Sequence, residues 1–240
     1  MHALAEKPQY LAYIKDWADY MIDADGKIRE QQELLDDLMP AVLLIDLYRR
    51  TGGQKYKTAL DTTVGRIKHW KRNRYGGFFH KAITPDQMWL DGLFMGGLLL
   101  TAYGEAFDRP AYFDEMYRQA MLMYEHIRDP KTGLYYHAWD AECVQEWADP
   151  KTGLSSEFWG RAMGWVAVAL CEMLDHFPAE HPGRPALIRM LAELLDAVAG
   201  YQDPESGLWY QVIDKGSDPD NWCAVSYTHL RAHETLRHLV

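Results

Sequence analysis

A single carboxylate inside an otherwise apolar run is the feature of this sequence best suited to chemistry. Asp91 sits in Met88-Trp89-Leu90-Asp91-Gly92-Leu93-Phe94-Met95. An ionised carboxylate in such surroundings costs free energy unless it is paired or has a proton to move. The alternative is a helix-start carboxylate that complements the helix dipole. Thr84 and Pro85 read as the cap and first turn of that helix, which puts Asp91 in its second turn. Polar side chains also close three similar segments: Gly77-Phe78-Phe79-His80, Gly133-Leu134-Tyr135-Tyr136-His137 and Gly207-Leu208-Trp209-Tyr210-Gln211. Each segment follows a helical stretch and a polar turn, so His80, His137 and Gln211 are expected at one common rim.

The elements that must position these groups are helices. Apolar periodicity predicts helices from Tyr10 to Met21, Leu34 to Arg50, Tyr56 to Trp70, Gln87 to Phe107, Ala111 to Ile127, Phe158 to Phe177 and Pro185 to Tyr201. Trp89, Leu93, Leu99 and Leu100 make the fourth of these buried almost all round. The turn Asp129-Pro130-Lys131-Thr132-Gly133 returns as Asp203-Pro204-Glu205-Ser206-Gly207, and the three segment glycines are 56 and then 74 residues apart. About one helix pair fits in each interval. Stacked helix pairs that share a core form an open solenoid or close into a ring. A ring with its polar residues at one rim is an all-α (α/α) toroid.

Composition narrows the partners. The chain has 240 residues, 48% of them hydrophobic, enough for one large domain with a real core. Its net charge of −10 argues against nucleic acid. Nine Trp and fifteen Tyr suit stacking on sugar rings, although core filling must account for most of them. Cys143, Cys171 and Cys223 are odd in number and widely spaced, which predicts reduced thiols. With no signal-like or membrane-spanning run, the sequence as written is expected in the cytoplasm, away from membranes.

Taken together, Leu35-Asp36-Asp37-Leu38, Gly77 to Lys81, Gln87 to Met95, Tyr136-His137-Ala138-Trp139-Asp140 and Phe158 to Trp165 resemble glycoside hydrolase family 105, the unsaturated rhamnogalacturonyl hydrolases. The resemblance runs in order from about Tyr10 to Trp222. It implies an (α/α)6 barrel that removes a 4,5-unsaturated galacturonic acid from pectin-derived oligosaccharides, with no cofactor. It also assigns roles. The acid/base of the Trp-x-Asp motif falls on Asp91, and a second Asp falls on Asp36, with Asp37 beside it. The active-site histidines fall on His80 and His137. The Arg and Trp of the Trp-Gly-Arg segment fall on Arg161 and Trp165. Trp89, Trp139, Trp159 and Trp165 are candidates for stacking.

The implied chemistry suits those residue types. The substrate is an enol ether, so a proton delivered to C4 builds oxocarbenium character at C5. Water adds there, and the hemiketal opens with loss of the aglycone. One carboxyl group can serve as acid and then as base, unlike the carboxyl pair of ordinary glycosidases. A neighbouring carboxylate such as Asp36 would help it hold its proton. His80 and His137 can bond hydroxyls or a carboxylate, and Arg161 offers a carboxylate fork. Structural alternatives stand beside these roles: satisfied histidines, an arginine bonding loop carbonyls, a snorkelling Lys81, and a turn role for Asp140. No metal-ligand spacing is present, since His233-Glu234 is followed by His238 one residue too late for a His-Glu-x-x-His motif.

Two departures from the family pattern shape the expected domains. The first barrel helix is not recognisable before Tyr10. After Trp222 the pattern stops, and Ser226 to Val240 is similar to translated sequencing-adaptor sequence. The expectation is a partial (α/α)6 domain over residues 1–225, with roughly seven of twelve barrel helices, and a non-native tail over 226–240. Deleting Ser226 to Val240 is then expected to leave the melting temperature unchanged, and a clear drop would show that the tail belongs to the fold. Two rivals remain: an unsaturated glucuronyl hydrolase acting on other lyase products, and a non-catalytic helical-repeat binding module. The oligomeric state is left open.

Overall fold

The computed structural model describes residues 8–29 and 33–224. The tail expectation for Ser226 to Val240 lies outside the described residues. Seven α-helices occur among them: α1 (Pro8–Met21), α2 (Leu43–Thr51), α3 (Gln54–Lys68), α4 (Asp91–Ala106), α5 (Ala111–His126), α6 (Gly160–His176) and α7 (Arg184–Ala199). A 3-10 helix, Met39–Val42, leads into α2. Four strands of two or three residues pair antiparallel as β1 (Gln87–Trp89) with β2 (Ala138–Asp140), and β3 (Trp209–Tyr210) with β4 (Cys223–Ala224). The layers are consecutive helical hairpins, the arrangement of an (α/α)6 toroid.

α4 is the inner helix of its hairpin. Twelve of its sixteen residues are buried, so it has no solvent face. It packs chiefly on α6 and on its hairpin partner α5. Glycines permit the close approach: a Cβ on Gly97 would lie 2.7 Å from Met173 Sδ of α6. Leu93, Leu99 and Leu100 are essentially inaccessible, each contributing on the order of 2 kcal/mol by burial. α3, α5 and α7 carry their apolar residues on one side and complete the hairpins from outside.

The structure corrects three element boundaries. Gln87 to Trp89 is strand rather than helix, and α4 begins at Asp91. Asp86 adopts φ 63°, which no helix turn tolerates, and β1 is claimed by β2 with Trp89 opposite Ala138. Asp91 is therefore in the first turn, not the second. The helix expected from Leu34 starts only at Leu43, because Leu34 and Leu35 pair with the His80–Lys81 segment and Met39–Val42 forms a 3-10 turn. The helix expected from Phe158 starts at Gly160, because the preceding residues pair with the Gln211–Ile213 segment.

The Asp-Pro-x-Thr/Ser-Gly turn occurs three times, since Asp149-Pro150-Lys151-Thr152-Gly153 joins the two seen in sequence. In each, the Asp carboxylate accepts N–H and O–H from the Thr or Ser three residues on. The closing glycine sits at φ 77°, 74° or 68°. Each turn joins one element to the next.

Candidate active site

Backbone hydrogen bonds collect four sequence-distant segments at the N-terminal end of α4. Leu35 N–H donates to the His80 carbonyl, and His80 N–H donates to that of Gln87. Leu90 N–H donates to the His137 carbonyl. The loop before the 3-10 helix, the Phe78–His80 segment, β1 and the Tyr135–His137 segment are thus tied together before any side chain is considered.

Asp91 is the first residue of α4, directly after β1. Its Oδ2 lies 3.2 Å from His137 Nε2, with the Asp side chain 15% exposed. This contact accommodates a proton on either partner, as imidazole N–H donating to carboxylate or as carboxyl O–H donating to bare nitrogen. Trp89, two residues earlier, forms the centre of an aromatic cluster. His80 stacks on it at 4.6 Å and 16°, and His137 lies tilted against it at 5.3 Å. Its indole N–H donates to Gln87 Oε1 at 3.2 Å. Lys81 Nζ is 4.9 Å from its ring centroid.

Asp36 enters from the preceding segment. Its Oδ2 is 3.1 Å from Nε2 of the buried His80. The His80 imidazole holds the Asp36 carboxyl below the usual range against the opposing cost of burial, so Asp36 is ionised at neutral pH. His80 in turn packs on the first turn of α4: a Cβ on Gly92 would lie 3.7 Å from its Nδ1. Two carboxylate–histidine pairs, Asp36 with His80 and Asp91 with His137, therefore flank one tryptophan.

The far wall comes from the start of α6. Trp159 meets His137 edge-on at 4.8 Å and donates its indole N–H to Gln211 Oε1 at 3.1 Å. The guanidinium of Arg161 lies over the same ring at 3.9 Å. Trp165 contacts Phe94 of α4 at 4.7 Å, one turn beyond Asp91. The three segment ends His80, His137 and Gln211 thus meet around Trp89 and Trp159.

Two expected site residues are not brought in. Asp37 Oδ2 accepts the backbone N–H groups of Glu33 and Leu34, which makes it the cap of its own turn and leaves the cluster to Asp36. Trp139 lies opposite Met88 in the β1–β2 pair, whereas Trp89 lies opposite Ala138, so the two indoles are on opposite faces of the ribbon. Trp139 is buried and stacks on His126 at 4.1 Å and 5°. Asp140 is a turn residue, its carboxylate accepting N–H from Glu142, Val144 and Gln145. Gln87 and Phe94 join the cluster without being singled out in sequence, and strand parity from Trp89 is the signal that could have found Gln87.

Among the described residues no helix is long and apolar enough to cross a membrane, and the three cysteines are free. The family described as Glycosyl Hydrolase Family 88 matches residues 1–232. The chain is 30% identical over 236 residues to "Unsaturated rhamnogalacturonyl hydrolase YesR" of Bacillus subtilis (strain 168), a match covering 92% of this chain. It is 29% identical over 158 residues to "Unsaturated 3S-rhamnoglycuronyl hydrolase" of Formosa agariphila, covering 64% of this chain and 40% of that protein. The chain spans 62% of the length of the Bacillus relative. A solved glycoside hydrolase from family 105 of C. acetobutylicum ATCC 824 superposes with a TM-score of 0.89 at 34% identity, covering 98% of this chain and 69% of that one. The resemblance to family 105 and the hairpin architecture both agree with that match. With a family match over nearly its whole length and a solved fold of the same kind, the chain belongs to glycosyl hydrolase family 88.

Proposed function

We propose that this chain removes a terminal 4,5-unsaturated galacturonic acid from rhamnogalacturonan oligosaccharides by hydrating the C4=C5 bond. The observation that carries this reading is Asp91 at the head of α4, with His137 on one of its oxygens and that imidazole held between Trp89 and Trp159. The indole of Trp89 gives the sugar ring a face. Arg161 and Lys81, each over an indole, supply cations for the substrate carboxylate. Asp91 gives a proton to C4, and positive charge develops at C5 and the ring oxygen. The Asp91 carboxylate then takes a proton from the water that adds at C5. The hemiketal opens, C5 becomes a ketone, and the aglycone leaves from C1. The ionised Asp36 held by His80 adds negative potential beside the Trp89 cluster, which favours the developing positive charge.

The names of the Bacillus and Formosa relatives, both unsaturated-uronate hydrolases, support this reading. The Formosa name also favours a second one, in which the substrate comes from another lyase product. The three free, widely spaced thiols fit a reducing, cytoplasmic setting. The test is to incubate the chain with an unsaturated uronate–rhamnose disaccharide and follow the double-bond absorbance. A fall is expected; a folded chain that leaves the absorbance unchanged would rule the activity out. In the same assay Arg161→Ala is expected to raise KM about tenfold with kcat within about twofold, the pattern for a group that binds ground state and transition state alike. An unchanged KM would assign Arg161 to the packing of Trp159 alone.

A further inference from the structure

Two glutamines hold the indoles on either side of His137, and they do it in the same way. Trp89 donates its N–H to Gln87 Oε1 at 3.2 Å, and Trp159 donates its own to Gln211 Oε1 at 3.1 Å. Two other tryptophans are held by main chain instead. Trp70 donates to the Phe79 carbonyl and Trp209 to the Val198 carbonyl, each at 2.8 Å. An indole has one donor and no acceptor, so each bond also fixes the glutamine amide with its oxygen toward the ring.

On the activity proposed above, we infer that Gln87 and Gln211 are positioning residues of the active site. Each sets the angle of one indole and, through it, the charged groups that the indole touches.

The main chain of each glutamine serves the same end. Gln87 is buried and shares a strand face with Trp89, two residues on. Its carbonyl accepts the His80 N–H. One residue therefore holds both members of the His80–Trp89 stack, the indole by its side chain and the histidine by its backbone. The Gln211 carbonyl accepts the N–H of Gly160, the first residue of α6, and Gln211 N–H donates to the Trp222 carbonyl. Val212 bridges to Trp159, so that residue is fixed by its backbone as well as by its ring.

The two clamps act on different groups. Trp89 touches His80 at 4.6 Å and His137 at 5.3 Å, and these imidazoles are bonded to Asp36 and Asp91. A turn of this ring displaces the groups that move protons and stabilise charge, so its cost falls chiefly on kcat. Trp159 carries the Arg161 guanidinium at 3.9 Å and meets His137 edge-on. A turn of this ring displaces the cation offered to the substrate carboxylate, so its cost falls chiefly on KM. An apolar side chain in place of either glutamine leaves an indole N–H without its partner and the ring without its restraint.

The test measures kcat, KM and melting temperature of the full chain with an unsaturated uronate–rhamnose disaccharide. The variants are Gln87→Met and Gln211→Met, each made alone and together with the ring change that removes the N–H, Trp89→Phe or Trp159→Phe. Gln87→Met is expected to lower kcat about tenfold with KM within about threefold. Gln211→Met is expected to raise KM about fivefold with kcat within about twofold. Beside Trp89→Phe or Trp159→Phe, the same glutamine change is expected to add less than about twofold, because the bond it breaks is already gone. A merely structural glutamine would lower the melting temperature without this split and without this dependence on the ring. Parental kcat and KM in both single variants would overturn the inference and leave the activity standing. So would losses that recur in full beside the phenylalanines. If Gln87→Met fails to fold, the Gln211 pair decides, since Gln211 is only half-buried. A folded parent chain with no activity on the disaccharide would overturn the activity and the positioning roles with it.

Discussion

Asp91→Asn is expected to lower the rate on an unsaturated disaccharide by at least ~10²-fold, the low end for loss of a general acid/base. The amide fills the same space at the head of α4 and can still meet His137 Nε2, so the pocket should keep its shape. What it cannot do is give a proton to C4 or take one from water. Binding of the methyl glycoside of the 4,5-unsaturated uronate should survive within a few-fold, and the circular dichroism of the variant should match the parent. A variant with parental kcat would remove Asp91 from the chemistry and return it to the role of a helix-start carboxylate.

The largest structural effect is expected at Gly153. Its φ of 74° lies in the left-handed region, and a Cβ built there would lie 2.0 Å from the carbonyl oxygen of Asp140. That oxygen belongs to backbone that cannot move freely, because Asp140 N–H donates to the Gly153 carbonyl and its carboxylate holds three further N–H groups. Gly153→Ala is therefore expected to cost at least ~2 kcal/mol, a Tm fall of roughly 4 °C or more for a chain of this size. Gly65→Ala is the control. Gly65 lies inside α3 with open space at its Cβ, so the substitution should hold or slightly raise Tm. An unchanged Tm in Gly153→Ala would show that the turn is not under the constraint described.

What the sequence made legible followed from local chemistry. α4 announced itself by burial on every side, and Asp91 stood out because it was the one charge in that run. The recurring Gly-aromatic segments pointed to a shared rim because their turn residues repeat. What stayed hidden depended on tertiary partners. Gln87 to Trp89 has helix-compatible residues and becomes strand only because Ala138 to Asp140, about fifty residues later, takes its edge. Asp36 and Asp37 are indistinguishable by type, and the turn hydrogen bonds to Glu33 and Leu34 decide which of them faces His80. Trp139 was drawn into the site by its nearness to His137, although alternation along a strand sends it to the other face. The third Asp-Pro-Lys-Thr-Gly turn repeats the first residue for residue. It escaped the helix-pair count because no helix separates the two.

The central claim is that the glycosidic link breaks as a consequence of hydrating C4=C5. Initial rates of aglycone release and of double-bond absorbance loss, followed together on one unsaturated disaccharide, test it most directly. Hydration predicts the two signals in one-to-one proportion from the first turnovers, because no aglycone can leave before the double bond is gone. Aglycone released ahead of the absorbance change, with the unsaturated uronate left free in solution, would show attack at C1 by ordinary hydrolysis and contradict the account.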